Sequence, residues 1–101
     1  GIAYVGSFTW TGYEEPCWVF TTGVGIGAKN VGEACSHEIG HTLYLTHDGR
    51  LQPSESYYTG AGNWAPIMGV GYYKDLVQFS KGEYLNANNP EDDLRIITTL
   101  N

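Results

Sequence analysis

Positive charge is scarce in this sequence. Five Lys and Arg stand against eleven Asp and Glu, a formal net charge of −6. So few cations cannot build a basic patch that neutralises phosphates, which argues against nucleic acid as a partner. The same shortage disfavours anionic lipid, and no apolar run approaches the length of a membrane span, so no membrane partner is expected. Cysteine is also sparse: Cys17 and Cys35 are the two in the chain. Two cysteines do not define a framework. The composition nevertheless looks secreted or extracellular, where disulfides persist, so a Cys17–Cys35 disulfide is the expectation, with two buried thiols as the alternative. No signal peptide opens the chain. The first residues, G-I-A-Y-V-G, already read as a strand, which suggests a processed form or an excised piece of something longer.

With 101 residues the chain is read as a single domain over 1–101. A domain of this size buries less of its surface than a larger one and leans on staples. A metal and a disulfide are the staples on offer. No internal repeat is present.

What the sequence does hold is glycine and aromatic residues: fourteen Gly, three Trp, eight Tyr and three Phe. Short strands and long ordered loops suit this composition better than a helical bundle, so an α+β fold is expected. Residues 1–8 read as a strand, and residues 17–22, C-W-V-F-T-T, as a second. Residues 23–29 are a glycine-rich loop, whose G-V-G-I-G lacks the spacing of a dinucleotide fingerprint. A helix is predicted over 30–43, with Asn30 as its cap and Glu33 completing a capping box. At about 100° per residue, Val31, Cys35, Ile39, Thr42 and Leu43 share a face assigned to the core. His37 and His41 fall opposite.

Residues 48–65 are expected to be irregular, and P-I-M-G at 66–69 a tight apolar turn. Residues 73–84 carry a weaker helical pattern. Asn89-Pro90-Glu91-Asp92-Asp93 signals a helix start, with its acids complementing the helix dipole. Leu94, Ile97 and Leu100 would face the core. A calcium site at the acids is the lesser alternative.

The chemistry concentrates in S-H-E-I-G-H-T-L-Y-L-T-H-D-G, residues 36–49, which contains every histidine of the chain. His37-Glu38-Ile39-Gly40-His41 matches H-E-x-x-H. On a helix, residues i and i+4 lie one turn apart on one face, so the two imidazoles can hold one zinc ion. Glu38 points slightly aside, where it can serve as a base rather than a ligand. In such sites zinc lowers the pKa of a bound water to about 7, and a nearby carboxylate can accept its proton during attack on a carbonyl. A catalytic zinc needs a third protein ligand, and His47 is the candidate. A continuous helix would carry His47 about 15 Å along the axis from His37. The chain must therefore leave the helix and fold back, with a positive φ at or beside Tyr44. Tyrosine adopts that conformation at a cost of roughly 1–2 kcal/mol.

These residues resemble the signature of the metzincin clan of zinc metallopeptidases, H-E-x-x-H-x-x-G-x-x-H followed by a Met-turn. His37, Glu38, His41 and His47 occupy its ligand and base positions, and Tyr44 stands in place of its glycine. Asp48 after the third histidine resembles the adamalysin (reprolysin) branch, as does G-I-A-Y-V-G-S-F at residues 1–8. A-P-I-M-G-V-G-Y-Y supplies Met68 as the Met-turn residue. H-D-G, N-W-A-P-I-M-G-V-G-Y-Y and S-K-G-E-Y are similar to secreted bacterial metzincins.

The resemblance covers nearly the whole chain. It implies a zincin-like catalytic core truncated at the N-terminus: an edge strand, a second strand, the active-site helix, the Met-turn and C-terminal helices. The family's earlier strands and first long helix are absent. The chain is then a fragment or minimal core, or its missing N-terminal segment belongs to a partner chain. The resemblance further implies a Zn2+ endopeptidase acting on polypeptides. Substrate would pair with the edge strand at Ala3, Tyr4, Val5 and Gly6. Val70, Gly71, Tyr72 and Tyr73 would line a side-chain pocket. Met68 would form an apolar floor beneath the histidines, and Tyr72 or Tyr73 would offer a hydroxyl or simply a wall. Two alternatives stay open: a zinc-binding module that does not cleave, and a site completed by Asp48 in place of His47.

Overall fold

The longest helix of the structure forms where the histidine motif lies. The computed structural model describes residues 1–12 and 14–101. In chain order it contains a 3-10 turn at Ser7–Thr9, α1 (Thr21–Val24), α2 (Ala28–Thr42), β1 (Trp64–Pro66), β2 (Leu76–Gln78) and α3 (Asp93–Leu100). β1 and β2 pair in parallel, with Trp64 opposite Leu76 and Pro66 opposite Gln78. The result is a small α+β fold in which much of the chain is ordered loop. Among the described residues no helix is long and apolar enough to cross a membrane.

α2 begins at Ala28, two residues before the expected cap. Ala28 and Lys29 are strong helix formers and carry the helix back to Gly27, which takes the cap position. Asn30 thus lies inside the first turn, where its Nδ2 donates to Val24 O at 3.2 Å and ties α1 to α2. Glu33 pairs with Lys29 instead of reaching back to a cap. The helix ends at Thr42, with Leu43 N bonded to Ile39 O and Gly40 O.

The wheel separated the two flanks of α2 correctly but assigned the core to the wrong one. Thr42 is buried, yet Ile39 is 48 % exposed, and Val31, Cys35 and Leu43 are only partly covered. Ala34, Glu38 and His41, on the histidine side, are buried instead. The reason is what packs there. Met68, fully buried, closes against α2 at Gly40, and Val77 and Gly71 approach Glu33. Periodicity shows that a helix has two unlike flanks, but not which one distant chain will cover.

Neither expected N-terminal strand forms. A single antiparallel bridge joins Ile2 and Trp18. Beyond it, Gly6 at φ 78 turns the first segment into the 3-10 turn, and the second runs into α1 at Thr21. A ladder needs neighbours, and these two segments have only each other. Ile2, Tyr4, Phe8, Trp18, Phe20 and Ile26 stay exposed. The disulfide is absent as well: Cys17 and Cys35 are free, partly exposed thiols, Cys35 on α2 and Cys17 outside any helix or strand.

Residues 73–84 form no helix; they contain β2, which hydrogen-bonds to the strand leading into the P-I-M-G turn. α3 is the single C-terminal helix among the described residues and starts at Asp93, with Asp92 accepting from Arg95 N at 3.1 Å. Asn89 does not cap it, because its side chain is engaged elsewhere. Leu94 and Leu100 are exposed and Ile97 half-buried, while Asp93 is fully buried. Asp93 Oδ2 accepts from Ser80 N at 2.9 Å, and Ser80 Oγ donates to Asp48 Oδ2 at 2.9 Å. Burial pushes the Asp93 carboxyl up to about 7 and Asp48 up to about 6. Asp92 and Asp93 thus sit at the start of α3 as the acids were expected to, and Asp93 also joins the helix through Ser80 to the third-histidine loop.

Candidate metal centre

α2 places His37 and His41 one turn apart, as i,i+4 spacing requires. Their rings lie 4.9 Å apart between centroids. Each ring is fixed by its second nitrogen. His37 Nδ1 donates to Ile67 O at 2.8 Å, and His41 Nδ1 donates to Leu45 O at 2.8 Å. Committing the Nδ1 protons to carbonyls leaves the Nε2 lone pairs free to coordinate, the orienting device that metal-bound histidines use.

The third ring arrives through a backbone reversal. Tyr44 has φ 76, in the left-handed region. Tyr44 N bonds to His41 O and Leu45 N to Gly40 O, each at 3.0 Å, so the chain turns tightly off the end of α2. The cost of this conformation, roughly 1–2 kcal/mol for a non-glycine residue, is offset by what the tyrosine side chain touches. Its ring lies so close over Gly6 that a Cβ there would come within 2.4 Å of it, and its hydroxyl is 2.7 Å from Thr9 Oγ1. Gly6 N in turn donates to His41 O at 2.9 Å. Tyr44 therefore fastens the N-terminal segment onto the motif while it makes the turn.

Past the turn, the loop is held residue by residue. Thr46 donates N–H and Oγ1 to Glu91 Oε1 at 2.6 and 2.8 Å. Asn89 Nδ2 donates to His47 O at 3.3 Å. Asp48 N donates to Met68 O at 2.9 Å, and Tyr58 N donates to Asp48 O at 2.7 Å. Gly49 N donates to Asn88 Oδ1 at 2.8 Å. His47 is delivered against the first two rings: His41 Nε2 and His47 Nε2 are 3.0 Å apart. The three histidines offer ligand atoms within 4.8 Å of one another and so are positioned to hold one metal ion. Bonds of about 2.0–2.1 Å to a shared ion hold ligand atoms at most about 4 Å apart, a limit the 3.0 Å between His41 Nε2 and His47 Nε2 already meets. The donor set therefore fits a metal.

Electrostatics favour the ligating form. Burial, with His41 alongside, holds His37 below the usual imidazole value. Burial together with the His41 and His37 rings lowers His47 to about 4. Both are neutral, with free lone pairs, at neutral pH. Asp48 is no candidate to replace His47: it is fully buried and directed to Ser80.

Met68 is buried against α2 at Gly40. The turn Pro66–Gly69 closes with Gly69 N bonded to Pro66 O at 3.1 Å, and Met68 has no exposed surface. Gly40 makes its approach possible, since a Cβ at that position would sit 2.5 Å from Met68 Sδ. Gly40→Ala is accordingly expected to destabilise the fold by about 1–3 kcal/mol and to weaken metal binding with it. Thermal unfolding and metal titration read the two effects, and an unchanged melting temperature would show that Met68 moves aside without cost.

A cleft runs past the histidines, lined by Ala3, Glu38, Tyr57, Val70 and Tyr72 among others. Glu38 is buried at its edge. Of the residues expected to meet substrate, Ala3, Val70 and Tyr72 border this cleft, and Gly71 lies in a side pocket beside it. Tyr4, Val5 and Gly6 do not line it, because the chain turns away at Gly6, and Tyr73 is 85 % exposed. Tyr57 was not legible in the sequence. Its ring centroid lies 4.4 Å from that of His47 and 6.2 Å from that of His37. It comes from an irregular Ser/Tyr/Gly stretch, where no periodicity or spacing marks one tyrosine over another.

The geometry thus positions three histidines to hold a metal ion at the edge of an open cleft, with a glutamate beside them. No protein family, no curated protein and no solved structure matches this chain.

Proposed function

We propose that this chain is a zinc-dependent endopeptidase with a zincin-like, metzincin-type catalytic core, acting on polypeptides outside the cell. The observation that carries this reading is the convergence of His37, His41 and His47 beside Glu38 at an open cleft. A structural zinc takes four protein ligands, whereas a catalytic one keeps a position open. Three histidines gather among the described residues.

Zinc held there would act as a Lewis acid on a peptide carbonyl and acidify water. The chain's own residues do the rest. Glu38, adjacent to the ligands and facing the cleft, takes up the proton released during attack and returns it to the leaving amine. Ala3 extends the cleft wall. Ile2 directs its N–H and C=O to Trp18, and backbone groups alternate along an extended segment, so those of Ala3 face the other side. Among the described residues they have no backbone partner. An extended substrate can pair with them. The exposed apolar side chains of the N-terminal region support a further polypeptide segment, in cis or from a partner chain, covering that side.

The test is peptide hydrolysis by the zinc-loaded protein, with and without a chelator. Hydrolysis that disappears on chelation and returns with zinc supports the reading. Zinc bound at one per chain with no cleavage would leave a metal-binding module, and no zinc at all would remove both.

A further inference from the structure

Two of the three histidines owe their orientation to a hydrogen bond, His37 Nδ1 to Ile67 O and His41 Nδ1 to Leu45 O. His47 is different. Among the described residues its Nδ1 meets no acceptor; its contacts are Asn89 Nδ2 on the backbone O and His41 Nε2 on Nε2. A ring without an anchor keeps rotamer freedom, which it must give up to ligate. What packs against this ring is Tyr57. The two centroids are 4.4 Å apart, with the planes inclined at 44°. Tyr57 also reaches His37, at 6.2 Å and 36°, and the His37 and His47 rings are themselves 5.3 Å apart. Tyr57 thus packs on both.

The chain around Tyr57 is fastened to the loop that carries His47. Arg50 and Glu55 exchange two backbone hydrogen bonds, at 2.8 and 2.9 Å, and their side chains pair at 3.0 Å. Tyr58 N donates to Asp48 O at 2.7 Å, and Tyr58 O accepts from Val70 N at 2.9 Å. A Cβ at Gly49 would lie 2.4 Å from Glu55 O and 3.0 Å from Ser56 O, so glycine lets the two stretches close together. Tyr58 is buried and stacks on Tyr84 at 4.1 Å, which anchors the residue next to Tyr57. Tyr57 itself lines the cleft and is 42 % exposed. Its backbone is held on both sides, yet its ring carries little of the core.

We infer that Tyr57 is the positioning residue of the third ligand: the packing of its ring does for His47 what a hydrogen bond does for His37 and His41. Aromatic rings at this distance attract one another in preferred orientations. The assignment rests on the three histidines holding a metal, and it uses the tyrosine ring rather than its hydroxyl.

The experiment reads metal affinity and ring orientation separately. Zinc affinity is measured by competition with a chromogenic chelator, and the imidazole proton signals of the metal-free protein are followed by NMR. Tyr57→Phe keeps the ring and should bind zinc as the parent does. Tyr57→Leu keeps apolar bulk without a flat ring and should bind about tenfold more weakly, the strength of one aromatic pair. In the metal-free Leu variant the His47 ring signals should shift most, those of His37 less and those of His41 least, with the unfolding temperature unchanged. Parent affinity in Tyr57→Leu, an equal loss in Tyr57→Phe, or unmoved His47 signals would overturn the assignment. So would a fall in unfolding temperature that tracks the loss of affinity, which would mark a general loosening. No zinc binding by the parent protein would remove the metal centre itself, and this assignment with it.

Discussion

Glu38→Gln is expected to keep its zinc and lose its hydrolysis, with kcat/KM falling by about 10²–10⁴-fold, the usual contribution of a positioned general base. The substitution is close to isosteric, and the glutamate is buried on α2 between two histidines whose rings are fixed by Ile67 O and Leu45 O. The charge of Glu38 is paired with the Gly1 ammonium, 3.3 Å from Oε1, and none of the hydrogen bonds that orient the histidines passes through it, so the metal site should assemble unchanged. What disappears is a group at the cleft that can carry a proton, since an amide cannot take one up near neutral pH. Zinc content by metal analysis and turnover of a quenched peptide, measured on the same preparation, separate the two properties. Activity within tenfold of the parent would show that Glu38 is not the base. Loss of zinc along with activity would instead make Glu38 part of the metal-holding machinery.

His47→Ala is expected to cost more than metal-site substitutions that spare the ligands. Removing a partner that merely orients a ligand weakens metal binding by about 10–100-fold. Removing a ligand should exceed the upper end of that range. Competition with a chromogenic chelator gives the dissociation constant, and the helix content of the variant shows whether α2 survives. Substitution by Asp48 is blocked by geometry: its carboxyl is fully buried against Ser80, and its backbone is tied to both Met68 and Tyr58. Zinc held at the parent affinity after His47→Ala would contradict the three-histidine centre and require another ligand.

Much of this centre was legible in the chain itself. The i,i+4 spacing fixed His37 and His41 on one flank because a helix has only one period to offer. The offset of His47 demanded a reversal, and the reversal occurs at Tyr44 with φ 76. Pro66-Ile67-Met68-Gly69 turned as its composition predicts. These features depend on a few bonded neighbours, so local physics suffices to specify them.

Other features depended on what packs against what. Which flank of α2 is buried was decided by Met68 and Val77, distant in sequence, and the sequence-based assignment of Ile39 to the core failed for that reason. The strands expected at residues 1–8 and 17–22 shrank to one bridge, since β-structure exists only where a neighbour supplies the ladder. The helix expected in 73–84 gave way to β2, because β1 offered a partner that propensity cannot see. Cys17 and Cys35 stayed apart because a disulfide needs two segments to meet, and these do not. Asn89 and Glu91 read as a helix start, yet the fold spends them on Thr46 and His47, and α3 begins later, at Asp93. The sequence by itself determined the three histidines that can hold a metal and the turn that brings them together. Only the tertiary structure decided what surrounds them, because burial and pairing are properties of two segments at once.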